Sequence, residues 1–300
     1  LSSLIDVDGT AMLDVGSHLV CEAQREDPLI NKVYTILTAD AGLTGQFTHV
    51  ASNNILVDPV VTYDNNNAYV TLLIAPQNVA ETFNQIQVAE QMNSIPVNPS
   101  PELEEFLQAF AQESPEDARR TLSQMSGEPH TNILLTAELA NRQFIRRLFD
   151  PLRSILTTNP CTPYVYCRYK PEFDVWASIS GGKTFIHGNN NARGFRLSNY
   201  EISGGVQARF TRFLTVGAAL SYEKDTISYR VGGNARSNVY LGALYGLYRP
   251  ERFYLLGDFI FGYDNNRIKR TIIAGALHYH PRAWPKVPQR SGYAETGTDY

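Results

Sequence analysis

Two aspartates near the start of the chain have the types and spacing needed for phosphoryl-transfer chemistry. The run Ile5-Asp6-Val7-Asp8-Gly9-Thr10 holds two carboxylates that are separated by one residue and followed by a glycine. In such an arrangement the first carboxylate attacks phosphorus, the second acts as acid and base, and Mg²⁺ neutralises the charge. Asp258 and Asp264 offer further carboxylates late in the chain. A phosphatase is therefore one hypothesis.

The elements around these aspartates argue against that hypothesis. The motif is similar to that of the haloacid-dehalogenase phosphatases, whose fold requires strands that alternate with helices around a parallel sheet. Residues 13–75 show no helical pattern, and Asp258 falls within a strand of alternating polarity. The pattern favours a polar turn between short strands, and the phosphatase is kept as an alternative. We predict that the chain is not an enzyme and binds no cofactor or metal.

Composition and charge limit the classes of protein to which this chain could belong. The chain has 300 residues, a formal net charge of −4 and no block of like charge, so we predict no nucleic-acid partner. No apolar run approaches the roughly 18–20 residues that a transmembrane helix needs. A β-barrel strand needs only about 9–11 residues, with every second one apolar. The start at Leu1, without Met or a signal peptide, predicts a fragment of a longer protein.

The first two segments of the chain differ in their periodicity. Residues 1–75 contain short strands interrupted by turn residues, which fits the rungs of a β-solenoid. Residues 76–160 have helical spacing, with start signals at Ser100-Pro101 and Ser114-Pro115. The last helix of this segment, from about 131 to 155, should be kinked or interrupted at Pro151.

The third segment, residues 164–300, switches to a period of two. Two adjacent strands present apolar residues on one face, and we expect these residues to contact lipid: Tyr200, Ile202, Val206, Phe210, Leu214, Val216, Leu220 and Tyr222. Short turns join the strands at one end, and longer Gly/Asn-rich loops join them at the other. This pattern predicts a mainly β protein with an antiparallel outer-membrane β-barrel. A soluble β-sandwich binding module is the alternative, since its strands also alternate.

The order of these parts resembles the C-terminal region of autotransporters, the proteins of type V secretion, in a chlamydia-type form. The runs Val33-Tyr34-Thr35-Ile36-Leu37-Thr38 and Gly42-Leu43-Thr44-Gly45 look like closing rungs of a passenger β-helix. Leu122-Ser123-Gln124-Met125-Ser126-Gly127 is similar to an element that precedes the barrel. Asp174-Val175-Trp176-Ala177-Ser178-Ile179 looks like the first barrel strand, and Leu241-Gly242-Ala243-Leu244-Tyr245-Gly246 looks like a later one.

The resemblance implies an outer-membrane anchor that translocates its own passenger to the cell surface. The implied partners are outer-membrane lipid, the barrel-assembly machinery, periplasmic chaperones and the passenger itself. Five strands are clear, and a sixth, from 291 to 300, is weaker. Because autotransporter barrels have twelve strands, we expect the barrel to be truncated in this chain.

The arginine-bearing helix has two interpretations. Arg142, Arg146 and Arg147 make it amphipathic, so it is either a surface helix or the segment that threads the barrel lumen. In the second case we expect these arginines to pair with inward-facing acids of the barrel wall, which are Glu201, Glu223 and Asp258.

Two cysteines lie in the loop that precedes the first barrel strand. Cys161 and Cys167 are either a small-loop disulfide, which would fit an oxidising compartment, or two free thiols.

Overall fold

The computed structural model describes residues 3–22, 30–96, 99–157, 172–230, 232–250 and 253–298. The chain forms two compact units. The first contains residues 1–126 with two short segments from later in the chain, 189–192 and 271–280, and the second contains the rest. The division at Ser126 falls inside the predicted helical segment 76–160, so its helices are shared between the units.

The first unit begins with strands that stack in parallel. Three short strands are followed by three more, and each of the first set pairs in parallel with one of the second. The strands are β1 (Ile5–Val7), β2 (Ala11–Leu13) and β3 (His18–Cys21), which pair with β4 (Val33–Ala39), β5 (Leu43–Gly45) and β6 (His49–Ser52) respectively. Gly45 has a φ of 84°, and a side chain there would collide with the Leu13 carbonyl, so the corner requires glycine. The geometry is that of two turns stacked in parallel.

An antiparallel hairpin covers the second turn. Strands β7 (Val57–Tyr63) and β8 (Asn67–Ile74) pair with each other, and β8 also pairs with β4. Asp64 fixes the tight turn because its carboxylate accepts hydrogen bonds from the Asn66 and Asn67 amides, at 2.8 and 2.6 Å, and from the Tyr69 hydroxyl. The bond from the Asn66 backbone is the largest cause that lowers the pKa of Asp64 to about 2, followed by the bonds from Tyr69 and Asn67.

Three helices complete the first core. They are α1 (Phe83–Asn93), α2 (Pro101–Ala111) and α3 (Pro115–Met125), and the side chains of Thr82, Ser100 and Ser114 cap their N-termini. Both predicted Ser-Pro helix starts are therefore confirmed. Phe110, Leu107 and Leu122 are buried together with Leu56 of the strand region. This unit is thus built around an ordinary apolar core.

A small hairpin from late in the chain belongs to this unit. Strands β14 (Ile272–Ala274) and β15 (Leu277–Tyr279) pack on the helices. Thr121 Oγ1 donates to the Ile273 carbonyl at 2.6 Å, and the Gly275 amide donates to Glu113 at 3.1 Å. Burial raises the pKa of Glu113, and the bond from Gly275 opposes that rise.

The second unit is an antiparallel meander of long strands. Its strands are β9 (Glu172–Ile186), β10 (Phe195–Thr211), β11 (Leu214–Tyr229), β12 (Asn234–Tyr248), β13 (Phe253–Lys269), β16 (Arg282–Ala283) and β17 (Lys286–Thr298). Each of the first five pairs with the next, and both β16 and β17 pair with β13. The sheet is open, because β9 and β17 each pair on one side only among the described residues. The weaker sixth strand that the sequence predicts at 291–300 corresponds to β17, which begins earlier, at Lys286.

One long helix accompanies this sheet. Helix α4 (Glu128–Thr157) is continuous through Pro151, so of the two predicted effects of this proline, a kink or an interruption, the interruption does not occur. Phe149 and Leu152, on either side of that proline, are fully buried. Among the described helices, none is long and apolar enough to cross a membrane.

Candidate functional site

The two faces of the long sheet have opposite environments. Alternate side chains of each strand point to opposite faces, and one set packs against α4. Phe144, Leu148 and Phe149 of the helix are fully buried in that contact, beside Leu241 and Tyr245 of β12. We call the α4 side the inner face and the other side the outer face. Large apolar residues are buried on the inner face only where the helix covers them.

The outer face carries the residues for which lipid contact is expected. Strand pairing places seven of the eight in the outer register, and the eighth, Phe210, lies at a register shift in β10. Val206 is 55% exposed and Leu220 is 72% exposed, and Tyr200, Ile202, Phe210 and Val216 are exposed as well. Leu214 and Tyr222 are half-buried. A continuous exposed apolar face of this kind suits a non-aqueous medium better than water.

Two rows of aromatic residues border this apolar band. The first row crosses β10 to β13 and consists of Tyr200, Tyr222, Tyr240 and Tyr263. The second lies toward the short turns and consists of Phe173, Phe210, Tyr248 and Phe253. At roughly 3.3 Å per residue the interval from Tyr240 to Tyr248 is about 26 Å along the strand, and strand tilt reduces its height to about 20 Å. Aromatic girdles of outer-membrane barrels are separated by a similar height. Sequence reasoning missed these rows, because they become visible only when the strand register is known.

The inner face buries carboxylates between polar partners. Glu201 and Glu223, both predicted to face inward, are 1% and 3% exposed. Ser180 and Ser221 donate to Glu201 at 3.0 and 3.1 Å, and Asn199 donates to Glu223 at 2.8 Å. Such bonds offset part of the cost of removing a carboxylate from water.

Three more acids share this inner surface. Asp258, also predicted to face inward, is half-buried. Asp225 and Asp264 are buried on the same face and were not predicted. Their register relative to Glu223 was the available clue, since every second residue of a strand shares a face.

The arginines of α4 do not form the predicted ion pairs. Arg142 pairs with Glu138 of the same helix at 2.7 Å, Arg146 is exposed and Arg147 is half-buried. No ion pair joins these three arginines to the wall acids in the described part of the chain. The helix instead turns its apolar stripe, with Phe144 at its centre, toward the sheet, so Arg142 and Arg146 lie away from the acids.

Other polar contacts join α4 to the sheet. Asn141 donates to Ser291 at 2.9 Å, Gln143 accepts from Asn199 at 3.2 Å, and Arg153 pairs with Glu295 at 2.8 Å. The predicted cysteine pair, Cys161 and Cys167, lies outside the described residues.

A long-stranded antiparallel meander with an apolar outer face, aromatic rows and a polar inner wall defines the class of outer-membrane β-barrel domains. Comparison with family models shows which kind of outer-membrane domain this is, because residues 175–300 match the autotransporter beta-domain. Residues 175–300 are therefore an autotransporter beta-domain, which serves outer-membrane anchoring and translocation. Searches of curated proteins and of solved structures gave no match.

The alternative functions are not supported. Asp6 and Asp8 are exposed on the stacked strands of the first unit, whereas Asp258 lies in a long strand of the second. The described part of the first unit has no strands alternating with helices around a parallel sheet, which phosphatase chemistry of this type requires. A soluble sandwich would cover the outer face with a second sheet, and the described residues leave that face exposed.

Proposed function

We propose that α4 is the lumen segment that tethers a passenger to its membrane anchor. The observation that carries this proposal is the packing of α4 on the inner face, where Phe144, Leu148 and Leu152 are fully buried. The same face holds the buried acids Glu201 and Glu223, which would be costly on a face turned to lipid. Arg142 and Arg146, on the uncovered side of the helix, then face the water-filled lumen.

Residues 1–75 are the final turns of a β-helical passenger in this proposal, and residues 76–160 are the linker that ends in α4. The parallel pairing of β1–β3 with β4–β6 supports the first assignment, because stacked parallel turns are the repeating unit of a β-solenoid. The antiparallel β7–β8 hairpin, which pairs with β4, ends the parallel stack. The passenger stem is displayed at the cell surface and performs no catalysis through these residues.

The outer face contacts membrane lipid through the eight residues named above. Their exposure and the two flanking aromatic rows support this role. Before insertion such a face requires periplasmic chaperones, because exposed apolar strands associate readily in water. The barrel-assembly machinery then inserts the strands into the membrane.

Cross-linking of the full-length protein in outer membranes tests the position of α4. In a background with the native cysteines changed to Ser, we introduce Asn141→Cys and Ser291→Cys, whose native side chains are 2.9 Å apart. If α4 remains on the inner face of the finished anchor, a short bifunctional thiol reagent links the two sites and changes the electrophoretic mobility.

The matched control pairs Arg142→Cys with the same Ser291→Cys. Arg142 is adjacent in sequence but exposed on the uncovered side of the helix, so linkage should be much weaker. Equal linkage of both pairs, or linkage of neither, contradicts the proposed tether.

A further inference from the structure

The outer face changes character beyond the tyrosine row, toward the long loops. Four cations occupy neighbouring outer positions there: Arg236 on β12, Arg267 and Lys269 on β13, and Arg282 on β16. Arg236 lies directly opposite Arg267, and Lys269 lies directly opposite Arg282. All four are exposed. We call this group the basic cluster.

Like charges that face each other across strands destabilise a sheet unless an anion lies between them. None of the four forms an ion pair within the described part of the protein. The outer positions beyond the tyrosine row carry no acid on any described strand of this sheet. The acids of this region, Asp225 and Asp264 among them, point to the inner face. The charge is therefore segregated by face, and the four cations of the basic cluster have no counter-ion among the residues that the structure describes.

Further cations extend the basic cluster across the sheet. Lys183 on β9, Arg196 on β10, Lys224 on β11 and Lys286 on β17 occupy outer positions near or beyond the same row. The Arg196 guanidinium lies 4.8 Å from the centre of the Phe185 ring, which holds its apolar part against the sheet. A band of cations thus follows one edge of the apolar band across all the long strands.

We propose that this band binds the phosphate groups of lipid head groups in the outer leaflet. The proposal rests on the membrane role proposed above and on the usual orientation of outer-membrane barrels, in which short turns face the periplasm and longer loops face outward. Cations just beyond an aromatic girdle lie at head-group depth. A planar guanidinium can donate two hydrogen bonds to one phosphate, which suits the paired Arg236 and Arg267 to this ligand.

The test compares lipid A, which carries two phosphates, with its phosphate-free form. Full-length protein is reconstituted in neutral phosphatidylcholine nanodiscs, and binding of each glycolipid is measured by titration. Arg236→Gln with Arg267→Gln should weaken lipid A binding by roughly 10- to 30-fold, on the basis of the usual contribution of a basic residue at an anionic surface. Arg119→Gln with Arg120→Gln on α3 removes the same charge and should leave binding unchanged.

Separate outcomes identify which idea fails. If the wild-type protein does not enter neutral nanodiscs at all, the proposed membrane role fails. If it enters but binds lipid A equally well with or without Arg236 and Arg267, the basic cluster is not a lipid site. Equal binding of the phosphate-free form excludes phosphate recognition. If millimolar inorganic phosphate abolishes lipid A binding, the cluster is a site for the free ion, and the proposal is likewise overturned.

Discussion

Apolar and charged side chains have opposite environments in the two units of this chain. In the first unit Phe110 and Leu56 are fully buried, and the acids Asp64 and Glu116 are exposed. In the second unit Phe173 is 80% exposed on the outer face, while Glu201 is buried on the inner face. The first unit therefore buries its apolar core and exposes its acids. The sheet of the second unit exposes apolar residues on one face, as contact with lipid requires.

This difference shows what periodicity alone can and cannot establish. Strand alternation separates two faces in either medium, but it does not determine which face is turned to solvent. The direction follows from what lies on each face. Apolar residues with aromatic rows occupy the uncovered side, and hydrogen-bonded carboxylates occupy the side beneath α4. The uncovered apolar side then requires a medium other than water.

The largest effect is expected for a substitution in the buried core of the first unit. Phe110→Ala should lower the unfolding free energy of the first unit by about 3–5 kcal/mol, because it leaves a cavity in the core around Leu107 and Leu122. Denaturant titration of the full-length protein, monitored by proteolysis within residues 1–126, measures the loss. Met12→Ala, at a site that is 75% exposed, should change the unfolding free energy by less than about 0.5 kcal/mol.

A charged residue introduced on the outer face of the long sheet tests whether that face contacts lipid. Val206→Arg should cost about 2–4 kcal/mol of unfolding free energy in vesicles, because the site lies between the aromatic rows. Reversible unfolding in phosphatidylcholine vesicles gives the value. Met12→Arg introduces the same side chain at an exposed site of the first unit and should be nearly neutral. Two equally mild substitutions would mean that the outer face meets water.

Much of the architecture could be predicted from the sequence, because local patterns determine it. The Ser-Pro helix starts and the long alternating strands depend on neighbouring residues, and the structure contains both. Strand β17 was only partly recognised, because Lys286, Pro288 and Arg290 occupy its outer positions and break the apolar alternation. Proline is tolerated there, since β17 pairs on one side only.

The geometry of the candidate site was harder to predict, because it depends on contacts between distant residues. The sequence shows that α4 has an apolar stripe and an arginine strip, but not which one the sheet will contact. Burial of Phe144 against the inner face determines the orientation and removes Arg142 from Glu201 and Glu223. The aromatic rows likewise depend on the register between strands, which the turn residues only partly specify.

The smallest expected effect concerns the turn that Asp64 organises in the first unit. Its pKa is lowered to about 2 from an ordinary 3.8, chiefly by the hydrogen bond from the Asn66 amide. A carboxyl whose pKa is depressed by folding stabilises the fold above its unfolded pKa, and that stabilisation is lost as the pH falls from about 4 to about 2. Asp64→Ala should therefore weaken the β7–β8 hairpin at pH 6 and have a smaller effect at pH 2, where about half of the carboxyls are protonated.

Hydrogen exchange of peptides covering residues 57–74 in the full-length protein measures this effect. At pH 6 the Asp64→Ala hairpin should exchange faster than the wild type, because the Asn66 and Asn67 amides lose their acceptor. At pH 2 the difference should be clearly smaller, because about half of the wild-type carboxyls are then protonated. Asp40→Ala removes a carboxylate from the neighbouring turn and controls for net charge. A difference that persists unchanged at pH 2 would show that the turn depends on side-chain packing and not on the ionised carboxylate.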